Sequence, residues 1–213
     1  MQFPLNRATT LIVFGFALTA CSESPTTPTT PSATAPSPAA TARSAGVDND
    51  GGSQRHGSFE IPYMEQTIDH HAMGVMMATL CLQKAFHAEL VELCRMERET
   101  QQREIQELQS WLQEWYGITY EPRMQPGDER MMEKLAALSP EEFEMEFLEM
   151  FSRHHWIIIH RSIPIARDAI HDELEQMARN IVTNQYENVR KMRTWLCDWY
   201  GKCLPVPPLP PIV

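Results

Sequence analysis

The sequence predicts an all-α protein, an antiparallel four-helix bundle made of two tandem helical-hairpin repeats. Two observations carry this expectation. A shift of 84 residues places His70-His71 on His154-His155, His87 on His171, and Trp111, Trp115, Tyr116 and Gly117 on Trp195, Trp199, Tyr200 and Gly201, with no gap. Residues 64–117 and 148–201 share 14 identities in 54 positions, where ordinary composition gives about three, and such self-similarity marks a repeated structural unit. Within each copy, apolar residues recur at helical spacing between Pro, Gly and capping residues.

The first 58 residues stand apart from the repeats. Residues 1–20 carry Arg7, an apolar run from Leu11 to Leu18 and the small-residue end Thr19-Ala20, the anatomy of an export signal and too short to span a membrane as a mature helix. Leu18-Thr19-Ala20-Cys21 resembles a bacterial lipobox, which implies a lipidated Cys21; the alternative is a plain signal peptide followed by a coincidental cysteine. Residues 21–58 are rich in Thr, Pro, Ser and Gly and cannot offset the entropy of ordering, so they read as a tether. The expectation is an exported, lipid-anchored protein of the bacterial cell envelope, on the outer membrane or facing the periplasm, whose folded part spans 59–203. The formal charge of −10 becomes one unit more negative when Arg7 leaves with the signal, which disfavours nucleic acid as a partner.

From Pro62 to Ala85, Met64, Ile68, Val75, Ala78 and Leu82 form one helical stripe, with Pro62 suited to a first helical turn. After a break at His87, Ala88 to Tyr116 carries a second stripe closed by Gly117 as a C-cap, so the first repeat is 60–117. Residues 118–127 read as a loop and Asp128 to Leu138 as a short helix. Ser139-Pro140-Glu141-Glu142 is a capping box that opens a helix running to about Asp168. Pro164 inside it removes a bond to the His160 carbonyl and should bend the helix. Glu173 to Tyr200, ended by Gly201, completes the second repeat, 140–201, and residues 204–213 form a proline-rich, extended tail.

At about 100° per residue, His71 falls on the apolar stripe of its helix, whereas His70 lies on a flank with Met73 and Met77. His155 falls on the equivalent stripe of the second repeat. The facing seam of the second helix, Leu90, Cys94, Glu97, Gln101, Glu104, Leu108, Trp111 and Trp115, is apolar at both ends and polar in the middle. A hairpin centred near residue 87 sets His71 level with Arg103 and Glu104. The expected result is one buried polar layer of His71, Gln101 and Glu104 with His155, Gln185 and Asn188. Buried polar groups must be satisfied, so the layer is either a hydrogen-bonded network or a metal site.

Methionine decides between them. Met73, Met76 and Met77 cluster beside His70 and His71, and His160 stands at the Met76 position of the second repeat. Thioether with imidazole is a soft ligand set that suits Cu(I) or Ag(I). The candidate metal ligands are therefore His70, His71, Met73, Met76, Met77, Glu104, His154, His155 and His160, weighed against methionine as adaptable core filler. His87 and His171 read as turn residues capping the next helix. Cys81 and Cys94 are equidistant from the turn and should pair, and Cys197 and Cys203 flank Gly201 and could close a small loop; thiolate ligation is the alternative.

Ile68-Asp69-His70-His71, Met77, His87-Ala88-Glu89-Leu90, Gln101, Glu104-Ile105 and Trp111-Leu112 resemble the domain of unknown function 305 family, a ferritin-like group that includes CopM-type copper-binding proteins. The resemblance covers about residues 60–201 as two tandem copies. It implies a four-helix bundle in the bacterial envelope that binds Cu(I) or Ag(I) through His and Met. His70, His71 and Met77 match in the first repeat and His154 and His155 in the second, where Arg161 replaces the methionine and Asn188 the glutamate. The expected function is binding or buffering of these ions, without catalysis. The alternatives are a metal-free structural or partner-binding bundle, and a di-iron enzyme, for which the usual Glu-x-x-His pairs are missing from the chain.

Overall fold

A computed structural model describes residues 53–212, with side chains from Phe59 onward; the expected export signal, the lipidation site at Cys21 and most of the tether lie outside the described residues. The elements are α1 (Ser53–Lys84), α2 (Ala88–Tyr116), α3 (Asp128–Ala137), α4 (Pro140–Asp168) and α5 (Asp172–Tyr200). Among the described residues all regular structure is helical, as the patterning predicts. None of these helices is long and apolar enough to cross a membrane.

The local signals act where the sequence places them. Gly117 and Gly201 end α2 and α5 in the left-handed region at φ 66°, where a Cβ is unfavourable. At the start of α4 the Glu142 carboxylate accepts from the Ser139 backbone N–H at 3.2 Å and from the Ser139 hydroxyl at 2.6 Å. The helix then continues through Pro164 to Asp168. The start of α1 differs from expectation. Pro62 lies inside the helix rather than in its first turn, because Phe59, Ile61, Tyr63 and Met64 pack into the apolar core around it and offset the backbone bond that proline removes.

α1 pairs with α2 and α4 with α5, and the two hairpins meet along α1 and α4. The apolar core falls into two main clusters. One gathers Met77, Cys81, Leu90, Phe143, Phe147 and Phe151; the other gathers Met64, Ile68, Leu108, Leu112, Ile165 and Leu174. Polar residues of the four long helices lie between them. Cys81–Cys94 and Cys197–Cys203 are disulfides, with Cα–Cα distances of 6.2 and 4.2 Å, which removes these thiols as metal ligands. The tail folds back, with Leu209 and Ile212 against Ile159, Val182 and Val189, and the Tyr186 hydroxyl donates to the Pro207 carbonyl at 3.2 Å.

What joins the hairpins end to end is a pair of reciprocal clasps. His87, read as a helix cap, makes no side-chain cap bond. Its Nδ1 instead meets the Glu144 carboxylate at 2.5 Å, and its ring stacks on Trp199 at 3.9 Å. Glu144 also accepts from the backbone N–H groups of Phe86 and His87 and from the Tyr200 hydroxyl. The same set recurs at the other end of the bundle. Glu60 takes His171 Nδ1 at 2.7 Å, the N–H groups of Ile170 and His171, and the Tyr116 hydroxyl at 2.5 Å, while Trp115 stacks on His171 at 3.8 Å. The turn of each repeat is thus closed by the carboxylate and aromatic pair of the other, as a pseudo-twofold relation requires.

Both clasp carboxylates are buried. Burial pushes each upward, but the hydrogen bonds from tyrosine, histidine and backbone outweigh it and hold both below the usual carboxylate range. A depressed folded value means stability that is fully present above the ordinary glutamate pKa of about 4.3 and lost as pH falls through the lower folded value. Glu60→Gln and Glu144→Gln should each destabilise the fold at pH 7 by about 1–3 kcal/mol. The double variant should lose stability less steeply than the unaltered protein between neutral and acidic pH, as thermal melts would show; identical acid slopes would assign the acid sensitivity to other groups.

Candidate metal centre

The polar layer is built around two pairs of adjacent histidines, one on α1 and one on α4. His71 and His155 are fully buried, as the helical stripe predicts. His71 Nε2 lies 2.9 Å from Glu104 Oε2, as the hairpin arithmetic predicts. The contact is an ion-pair approach without a hydrogen bond at either atom.

His155 faces a carboxylate that in-hairpin pairing does not foresee. Its Nε2 meets Glu97 Oε2 at 3.0 Å, and Glu97 also accepts from Gln101 at 2.8 Å, Gln185 at 3.1 Å and Asn188 at 2.6 Å. Burial raises the Glu97 carboxyl, but the adjacent His155 and these amide donors outweigh it and bring it to about 2. Glu97 is therefore an anion bound from α2, α4 and α5 at once. In this part of the layer the carboxylate is fully partnered, and only His155 Nδ1 and Gln185 Oε1 are buried without a hydrogen bond.

The other part is not satisfied. His70, read as a flank residue, stacks face to face on His154 with ring centroids 3.6 Å apart and planes 7° from parallel. These are equivalent positions of the two repeats, so the stack sits where the pseudo-twofold axis passes between α1 and α4. Burial, followed by the neighbouring histidines, pushes both rings well below their usual range, so both are neutral at pH 7. The Nε2 atoms of His70 and His154 and the Oε1 of Gln101 are buried without hydrogen-bond partners. Gly74 makes the room: a Cβ there would lie 2.0 Å from Gln101 Oε1 and 3.1 Å from His154 Nε2.

The stacked rings line a pocket of about 380 Å³ together with Met73, Met131, Asp69, Asp128 and Arg161. Met131 comes from α3, the short helix that connects the repeats, where the Met131-Met132 pair is the local sequence signal. The remaining candidates lie elsewhere. Met77 is buried in the apolar cluster at one end, Met76 is exposed beside a neighbouring pocket, and His160 is exposed with its ring edge-on to Trp156 at 5.0 Å.

Buried polar atoms without partners need an explanation, and a soft cation supplies one. Two neutral imidazoles and two thioethers suit Cu(I) or Ag(I), and the residues present therefore fit such an ion. Among the described residues no three His, Cys, Asp or Glu side chains converge as a ligand set, so the fit depends on the methionines. Gly74→Ala tests the cradle. Alanine favours a helix interior over glycine by about 1 kcal/mol, but overpacking costs about 1–3 kcal/mol. The variant should melt lower than the unaltered protein, and a higher melting temperature would mean that Gln101 and His154 swing aside freely.

The fold has solved counterparts. CopM in the Cu(I)-bound form is 26% identical, with a TM-score of 0.60 over 67% of this chain and 98% of CopM, and CopM has also been solved with Ag, with Cu(II) and in the apo form. A DUF305 fragment from Deinococcus radiodurans is 25% identical, with a TM-score of 0.57 over 65% of this chain and 95% of the fragment. A DUF305 protein from Streptomyces coelicolor, 19% identical with a TM-score of 0.58 over 66% of this chain and 91% of its own, shares the fold. Among curated proteins none matches. The model of the family described as Domain of unknown function (DUF305) matches residues 60–196, and the chain belongs to that family.

Proposed function

We propose that this protein binds Cu(I) or Ag(I) through His70 and His154, with Met73 and Met131 as thioether ligands, and that it does so as a lipid-anchored buffer in the bacterial envelope. The observation that carries the reading is the pair of stacked, neutral imidazoles whose buried Nε2 atoms have no partner, beside two thioethers in one pocket. The copper- and silver-bound forms of CopM support the choice of ion. His71 and His155, each beside a carboxylate, support the layer from behind. The anchor rests on the lipobox-like Leu18-Thr19-Ala20-Cys21 and the tether that follows.

An anaerobic Cu(I) titration against a competing chelator, read with thermal melts, tests the site. A ligand that binds only the folded state stabilises it by RT ln(1 + [L]/Kd), about 2.7 kcal/mol at a hundredfold excess over Kd. His154→Leu should lose most of that shift while the metal-free protein melts no lower, because an unsatisfied polar group is exchanged for an apolar one. A full Cu(I)-dependent shift in His154→Leu would place the ion elsewhere and leave the layer as a structural network. For the anchor, Cys21→Ser should abolish incorporation of a labelled fatty acid and release the protein from membranes; unchanged labelling would exclude Cys21.

A further inference from the structure

We propose a second, outer site for the same monovalent soft ions, formed by the thioethers of Met73, Met76 and Met124; only the identity of the ion rests on the reading above. These three methionines line one pocket of about 280 Å³ between α1, α2 and the 118–127 loop. Met73 is also part of the apolar core, but core filling does not account for the other two, since Met76 is 37% and Met124 43% exposed, and a long apolar side chain left in water gains nothing from burial. Thioethers carry no charge and no N–H, so what they offer at a wet pocket is soft-metal ligation, with little attraction for Zn, Ca or Mg.

The loop that carries Met124 is fixed rather than left to wander. Asp69, next to His70 on α1, accepts from the Arg123 backbone N–H at 2.7 Å, the Tyr120 hydroxyl at 3.0 Å and the Gln125 amide at 3.4 Å. Gln109 donates to the Tyr120 carbonyl at 2.8 Å, and the Gln125 N–H donates to Asp128 at 2.7 Å. Met124 is therefore held between two anchored neighbours, and holding a ligand in place beforehand lowers the entropy cost of binding. Met73 lines both this pocket and the one containing His70 and His154, so the two sites share one thioether.

Sharing makes the arrangement testable on the full mature chain with Ag(I), followed by isothermal titration and by NMR of methyl-labelled methionine. The unaltered protein should take up one more Ag(I) than Met76→Leu/Met124→Leu, a volume-conserving double change that keeps the fold. That variant should retain the inner site. His70→Leu/His154→Leu should show the converse, with the Met76 and Met124 methyl resonances still moving on titration, so failure of the inner site is read separately. Met73→Leu should weaken both sites by about tenfold or more, roughly 1.4 kcal/mol each. Equal stoichiometry and affinity in the unaltered and Met76→Leu/Met124→Leu proteins, or Met124 methyl shifts unmoved by Ag(I), would overturn the proposal.

Discussion

A carboxylate in the middle of a helical bundle constrains everything around it, and in this fold that carboxylate is Glu97. An ionised group removed from water is tolerated only where donors replace its hydration. Glu97 receives His155, Gln101, Gln185 and Asn188. Moving α5 by one residue displaces its donors by about 1.5 Å and turns them by about 100°, which strands the charge. The register of the second hairpin on the first is therefore set at the polar waist. The two apolar clusters on either side supply the bulk of the cohesion without specifying that register.

The elements of the fold were legible because their punctuation is local. Gly117, Gly201 and the Ser139–Glu142 box act within a turn of where they stand. Pro62 misled because a proline suits a first turn and is also tolerated inside a helix held by tertiary contacts, and only packing distinguishes the two. The pairing of His71 with Glu104 followed from hairpin geometry. The role of Glu97 did not, since that geometry sets it level with Met77, whereas its partners lie largely in the other repeat. Glu60, Glu144 and Met131 escaped for the same reason: each acts across repeats or from a connecting helix, where spacing along one helix carries no information.

The polar layer divides in space. The Glu97 carboxylate is saturated with donors, while around Gly74 the facing Nε2 of His154 and Oε1 of Gln101 stay open. This division breaks the symmetry of the repeats. Gly74 has Ile158 as its counterpart, Glu104 has Asn188, and Glu97 has Ile181. Both carboxylates of the layer come from α2, and the space beside the stacked rings comes from α1. The second repeat contributes His154 and the amide donors of α5. A duplicated backbone thus carries one composite polar layer instead of two equivalent ones.

The clasps at the ends of the bundle have a consequence for assembly. Each hairpin holds a turn with a histidine that needs a carboxylate, and a carboxylate with an aromatic pair that needs a turn, yet its own turn and receptor lie at opposite ends. A hairpin on its own therefore cannot satisfy itself. Two copies of a single hairpin, placed antiparallel about a twofold axis, would satisfy each other twice and form a closed homodimer of the isologous kind. The linker through α3 turns that intermolecular encounter into an intramolecular one, replacing a dependence on concentration with a local concentration set by the connecting segment.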